Sequence, residues 1–161
     1  MGLRFDDQRL GNCFFVTTTF RDWIEYGNTP GVYEVLADSC RYYIKKYDAQ
    51  LIGYVFMPSH LHLLLLISGE ELAHFVRDFK KYVSQKAFKD IGVRDRHIWM
   101  AGYDRQVIYS EDVFRTKLDY IHNNPVKAGL VDNPGDWTRS SAVDYLSEDE
   151  SLIPVWKNWM F

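Results

Sequence analysis

His60 and His62 stand one residue apart in the stretch Tyr54-Val-Phe-Met-Pro-Ser-His-Leu-His-Leu-Leu-Leu-Leu-Ile67. In a β-strand, residues i and i+2 point to the same face. The two imidazoles would therefore project together, about 7 Å apart along the strand by its rise per residue. That separation lets both reach a single metal ion, although two ligands do not close a metal site and at least one more must come from elsewhere. The same spacing is compatible with half-buried histidines hydrogen-bonded to backbone or water. The other face of the strand carries Leu61, Leu63, Leu65 and Ile67, while Leu64 and Leu66 continue the apolar character of the histidine face. A strand apolar on both faces is a central one, and a rigid element of this kind holds catalytic geometry better than a loop.

The neighbouring elements follow from periodicity. Phe14–Phe20 is β-branched and aromatic and predicts a strand. Gly27–Gly31 is a turn cluster, with Thr29 as the expected cap and Pro30 as the first residue of a helix over 30–47, whose apolar positions are Val32, Leu36, Cys40, Tyr43 and Tyr47. Leu51–Phe56 and His60–Ile67 are strands joined by the short break Met57–Ser59, which suggests a hairpin. Ser68 and Glu71 have capping-box spacing before a helix at 70–89. Trp99–Met100 and Tyr103–Tyr109 are extended. A third helix opens at Ser110 or Glu111 and is expected to stop near Asn123-Asn124-Pro125, because the residue before proline is pushed out of the α region. A shorter segment with Trp137, Ala142, Tyr145 and Leu146 follows. The order strand, helix, strand, strand, helix, strand is the α+β, ferredoxin-like split βαβ arrangement: an antiparallel sheet with helices on one face, here with an added C-terminal helix.

The length of 161 residues fits one domain, with a core over about 14–145 and a tail over about 146–161. Hydrophobic residues make up 47% and aromatics 16%, which is enough to bury a core and argues against disorder. The net charge of −3 is not that of a basic nucleic-acid-binding domain. The charge is unevenly placed, however: Arg77, Lys80, Lys81, Lys86, Lys89, Arg94 and Arg96 cluster, while acidic residues crowd toward the end. Cys13 and Cys40 lack metal-type spacing and are expected as free thiols in a reducing compartment. Met1–Asp7 has no signal-peptide apolar region, and the leucine run at 61–67 is too short to span a bilayer, so a cytoplasmic protein without a membrane partner is expected.

Three motifs together resemble a known family. Met-Pro-Ser-His60-Leu-His62-Leu-Leu-Leu resembles the histidine–hydrophobic–histidine motif of the HUH endonucleases in the form used by single-tyrosine transposases. Leu118-Asp-Tyr120-Ile-His-Asn-Asn-Pro-Val-Lys-Ala-Gly-Leu-Val131 resembles their tyrosine helix, in the version of the REP-associated tyrosine transposases. Asp136-Trp137 followed by Ser140-Ser141-Ala142 resembles their downstream block. The likeness covers about Phe14 to Tyr145.

The resemblance implies metal-dependent cleavage and rejoining of single-stranded DNA at hairpin-forming repeats through a 5′-phosphotyrosine intermediate, by a monomer or a homodimer. Carried onto this sequence, Tyr120 is the nucleophile, one of eleven tyrosines. The metal ligands are His60, His62 and Asn124, the last lying one helical turn beyond Tyr120. Asn123 and His122 are the substitutes for Asn124 if the helix breaks early. Either Mg²⁺ or Mn²⁺ suits such a ligand set. Arg21, Lys80, Lys81, Lys86, Arg105, Arg115 and Lys127 are candidates for the DNA backbone, Trp23, Trp99 and Tyr103 for stacking on unpaired bases, and Gly129 for a turn. The competing expectation is a non-catalytic module of the same fold that binds single-stranded nucleic acid.

Overall fold

Every strand of the sheet pairs antiparallel with its neighbours in the computed structural model, which describes residues 12–159. Met1–Asp7, considered above for targeting, and the last two residues of the tail lie outside the described residues. The strands are β1 (Cys13–Thr19), β2 (Gln50–Phe56), β3 (His60–Leu66) and β4 (Asp104–Val107), in the order β2-β3-β1-β4. That order places β3 in the interior, as its two apolar faces require. The helices are α1 (Val32–Lys46), α2 (Gly69–Tyr82), α3 (Phe88–Asp90), α4 (Glu111–Lys127) and α5 (Ala142–Leu146), with a π-helical turn at Val83–Ala87 joining α2 to α3. This is the ferredoxin-like α+β architecture expected from the sequence.

The alternation of β3 sorts the core into two layers. Leu61, Leu63 and Leu65 pack with Leu36 and Cys40 of α1 and Phe75 and Phe79 of α2. Leu64 and Leu66 face the opposite way and pack with Phe15 of β1 and with Phe114, Leu118 and Ile121 of α4. Each such side chain, fully buried, contributes roughly 1.5–3 kcal/mol. Thus α1 and α2 cover one face, and α4 covers the other, beside the histidines.

Three helix boundaries differ from the sequence expectation. Thr29 and Pro30 do not open α1. The helix begins at Val32 behind Gly31, whose φ is +89°, and Thr29 contributes only its carbonyl, which accepts the Val32 N–H at 3.2 Å. The capping box at Ser68 and Glu71 does not form. Asn12 Oδ1 accepts the Gly69 N–H at 3.3 Å, and the Glu71 carboxylate lies 3.5 Å from His74. Third, α4 does not stop before Pro125 but runs through it to Lys127. Proline in a helix forfeits one hydrogen bond, here within the last turn. The actual stop is Gly129, at φ +74°, a left-handed conformation that only glycine adopts without strain. Its N–H donates to Val126 O and the Leu130 N–H to Pro125 O, the two bonds of a Schellman cap. The other end of α4 is as expected: the Ser110 hydroxyl accepts the Val113 N–H at 3.2 Å.

The segment 137–141 ties α4 to the outer edge of β2. The Tyr54 N–H donates to Ser141 Oγ at 3.0 Å, and that hydroxyl lies 2.9 Å from His122 Nε2 on α4. Burial pushes the His122 imidazole down to about 4. An unfolded histidine binds its proton near pH 6.5. The stability from His122 is therefore complete above that pH and is lost as the pH falls toward about 4, where the folded imidazole also protonates. Between pH 7 and pH 5 the loss amounts to about 2 kcal/mol. Urea unfolding at both pH values should show the wild type losing that much more stability than His122→Gln. The same pH dependence in both proteins would remove this role.

Candidate active site

A cleft of about 660 Å³ opens between β1, β3 and α4, lined by Phe15, Thr17, Trp23, His60, His62, Lys117, Tyr120, Asn124, Lys127 and Ala128. Strand and helix periodicity together assemble it. On α4 the spacings of three, four and three residues put Lys117, Tyr120, Asn124 and Lys127 on one stripe. On β3, His60 and His62 share the face beneath that stripe, with ring centroids 4.9 Å apart. The Tyr120 ring lies edge-on to His62, with centroids 5.4 Å apart, and remains 39% exposed.

Each histidine has a hydroxyl at Nδ1. Thr17 Oγ1, opposite His62 in the β1–β3 register, is 2.7 Å from His62 Nδ1, and Ser59 Oγ is 3.0 Å from His60 Nδ1. With Nδ1–H donating to the hydroxyl, Nε2 of each ring carries the free lone pair. His62 Nε2 is buried and has no partner among the described residues. Burial holds His62 far below its ordinary value, at about 3, with His60 and the Lys117 ammonium pushing the same way, and burial also lowers His60. Both are neutral imidazoles at pH 7, the form that binds metals. An orphaned buried lone pair beside a second neutral imidazole fits a divalent ion. No cluster of three or more His, Cys, Asp or Glu gathers among the described residues. A third protein ligand would therefore be the half-buried Asn124 amide, which lines the cleft.

Asn123 and His122 turn elsewhere. Asn123 Nδ2 donates to Asp119 O, and His122 is held by Ser141. Neither Tyr103 nor Tyr109 lines the cleft. Of the expected DNA contacts, Lys127 is in the cleft, its Nζ 5.8 Å from the Tyr120 ring centroid. Arg21 stands just outside, donating to His97 O. Lys80 donates to Met100 O and Gly102 O, pinning that loop. Lys81 and Lys86 are exposed on the α2 side of the sheet, Arg105 is exposed on edge strand β4, and Arg115 pairs with Glu111 at 2.9 Å. Of the aromatic candidates, Trp99 is stacked on Phe20, Tyr103 packs against the α1–α2 core layer, and Trp23 stands at the cleft rim, 57% exposed and edge-on to His60. The backbone presents Trp23 through two consecutive residues of positive φ, Asp22 at 54° and Trp23 itself at 56°, a conformation costly for bulky side chains.

Phe15, Thr17 and Lys117 escaped the sequence reading. Phe15 stacks on His62 at 5.2 Å, and Lys117 Nζ lies 4.7 Å from the Phe15 centroid and 5.7 Å from that of Tyr120. Lys117 was findable as the residue one turn before Tyr120. Thr17 required the register between two strands distant in sequence.

The fold and cleft define a ferredoxin-like protein with a histidine pair under a helix-borne tyrosine. The sequence profile described as IS200-like transposase matches residues 20–124, a span containing His60, His62, Tyr120 and Asn124, and the chain belongs to that family. It is similar to a candidate REP-associated tyrosine transposase of Haemophilus influenzae, 24% identical over 145 residues, covering 84% of this chain and 82% of the relative. Among solved structures, a REP-associated tyrosine transposase bound to a REP hairpin shares the fold with a TM-score of 0.71 at 20% identity, covering 98% of this chain and 93% of the other. Among the described residues no helix is long and apolar enough to cross a membrane.

Among the described residues the Thr17 hydroxyl is the single hydrogen-bond partner of the His62 imidazole, which is only 5% exposed. Thr17→Val keeps the shape and removes that partner, leaving both ring nitrogens unpaired. Stability measured by urea unfolding in a chelator should fall by roughly 1–3 kcal/mol, the cost of an unsatisfied buried polar group. A change below about 0.5 kcal/mol would mean that the bond does not hold His62.

Proposed function

We propose that this chain is a cytoplasmic single-strand DNA transposase that cleaves and rejoins DNA beside a hairpin, with Tyr120 as nucleophile. The observation that carries the reading is the Tyr120 ring over the His60–His62 pair, within one cleft of one chain. The relative seen with a REP hairpin supports a hairpin substrate. That His60, His62, Tyr120 and Asn124 of one chain line one cleft supports a tyrosine acting in cis, in a monomer or within each protomer of a homodimer.

In the proposed reaction, the Tyr120 hydroxyl oxygen attacks the scissile phosphorus and the bond from phosphorus to the 3′ oxygen breaks. The DNA is left with a free 3′ hydroxyl and a 5′-phosphotyrosine bond. The phenolic proton leaves the tyrosine and a proton is delivered to the 3′ oxygen, so the step is neutral in protons. Rejoining is the reverse attack by a 3′ hydroxyl, which returns the proton to the phenol. The covalent bond conserves the phosphodiester energy, so ATP is not needed. Lys117 and Lys127 flank the tyrosine ring and would hold the phosphate by charge. Trp23 offers an exposed ring for an unpaired base. A divalent ion, Mg²⁺ or Mn²⁺, held by His60, His62 and Asn124 would supply Lewis-acid polarisation of the phosphate.

Two variants test this. Tyr120→Phe keeps the ring against His62 and deletes only the hydroxyl. Wild type incubated with hairpin DNA bearing an unpaired flank should give a denaturation-resistant protein–DNA band, and the variant should give none while still binding the DNA. A band from the variant would move the chemistry to another residue, and no band from wild type on any hairpin would favour a binding module. The second variant, His60→Ala with His62→Ala, should lose cleavage in Mg²⁺ and in Mn²⁺ while retaining its circular dichroism spectrum. Undiminished cleavage would remove the metal site.

A further inference from the structure

A second concave surface, unused by the proposed chemistry, lies around the turn that follows α3. It is a groove of about 600 Å³ whose lining includes Lys89, Arg94, Asp95, Arg96 and His97. Gly92 builds it. At φ +90° it closes a Schellman cap on α3, its N–H donating to Lys89 O and the Val93 N–H to Phe88 O. The chain then turns back and sets Arg94 and Arg96 beside Lys89. None of these three cations forms an ion pair or side-chain hydrogen bond among the described residues. The acid between them, Asp95, is occupied as the acceptor of the Tyr26 hydroxyl. Gln85 lines both this groove and the adjoining hollow, where Lys81 and Lys86 stand with Asp78, so the two concavities adjoin. In a chain of net charge −3, such a concentration of unpaired cations is local.

The groove is fastened to the catalytic cleft. The Arg21 N–H donates to Ile98 O and Arg21 Nε to His97 O, each at 2.8 Å, and two residues further on Trp23 stands at the cleft rim. The two surfaces differ in kind. The cleft offers the exposed rings of Trp23 and Tyr120, which suit unpaired bases. The indole in the groove, Trp99, is stacked on Phe20 at 4.7 Å with its Nε1–H given to Lys80 O. Cations without a free indole or phenol ring suit a sugar–phosphate backbone whose bases are already paired.

We propose that the groove formed by Lys89, Arg94 and Arg96 binds the phosphate backbone of the double-stranded hairpin stem, while the unpaired flank enters the catalytic cleft. This rests on the cleft being a single-strand DNA site. The two surfaces meet at the turn carrying Arg21 and Trp23, so the junction between paired and unpaired DNA sits there.

The test compares wild type with Arg94→Gln/Arg96→Gln, sparing Asp95. The probes are a fluorescent DNA hairpin with a stem of about one helical turn, roughly 10 base pairs, plus an unpaired flank, and the same flank alone. Losing two phosphate contacts should flatten the slope of log affinity against log salt by roughly 2 and weaken hairpin binding by about tenfold to a hundredfold at 0.1 M salt. Binding of the flank alone should stay unchanged, and Arg94→Lys/Arg96→Lys should keep the wild-type slope. Undiminished hairpin binding, or an equal loss on both probes, would overturn the proposal. Stem-dependent binding lost in the double variant supports it even if wild type forms no covalent adduct. Adduct formation with stem-independent binding overturns it while leaving the chemistry intact.

Discussion

A single buried hydroxyl, that of Ser141, joins three parts of the chain distant in sequence. It accepts the Tyr54 N–H of β2, lies 2.9 Å from His122 of α4, and belongs to a segment whose backbone bridges β2. The chemistry proposed here needs Tyr120 positioned over His62 to within fractions of an ångström, because near-attack geometry tolerates little error. Yet among the described residues α4 shares no backbone hydrogen bonds with the sheet. Its position rests on apolar packing of Phe114, Leu118 and Ile121, which resists separation better than sliding, and on this directional bond two residues past Tyr120. A buried hydroxyl with its partners satisfied fixes register where hydrophobic contact alone does not.

The same segment solves a second problem. β2 is an edge strand, and its outer carbonyls would be open to pairing with another chain. Trp137 Nε1 donates to Phe56 O, Tyr145 Oη to Ile52 O, and the Trp156 N–H to Leu51 O. The tryptophan–serine block that resembles a family signature thus lies away from the cleft. It covers an edge and anchors the tyrosine helix, a structural reason for its residue types. The opposite edge, β4, is protected by brevity: four residues, with charged Asp104 and Arg105.

What the sequence disclosed follows the range of the interactions involved. Alternation along β3 and the cap at Ser110 are local, and they stand where periodicity put them. The boundaries that moved were also read locally, but other partners decided them: the Glu71 N–H goes to the Ser68 carbonyl rather than to its hydroxyl while Asn12 Oδ1 takes the Gly69 N–H, and the cap at Gly129 made Pro125 tolerable in a last turn. In the cleft, His60 and His62 were legible because their geometry needs only one strand. Thr17 was not, because it meets His62 across a pairing 45 residues apart in sequence. Lys117 needed only the helical stripe of Tyr120, but a lysine on a helix carries no chemical signal until something beneath it is known.

Charge placement ties the cleft to its proposed substrate. His60 and His62 are held neutral, so the imidazoles themselves attract no phosphate. The attraction in the protein alone must come from Lys117 and Lys127, one on either side of the tyrosine ring. The net charge of −3 does not oppose this. At physiological ionic strength exposed charges are screened beyond about 8 Å, so an approaching strand responds to the nearest cations rather than to the total. Neutral imidazoles also leave their lone pairs for a metal, whereas protonated ones would repel it. Burial of His62 beneath Phe15 and Tyr120 thus has one electrostatic consequence with two uses: it keeps a ligand atom available, and it leaves phosphate attraction to the two lysines that flank the tyrosine, an attraction that weakens as salt rises.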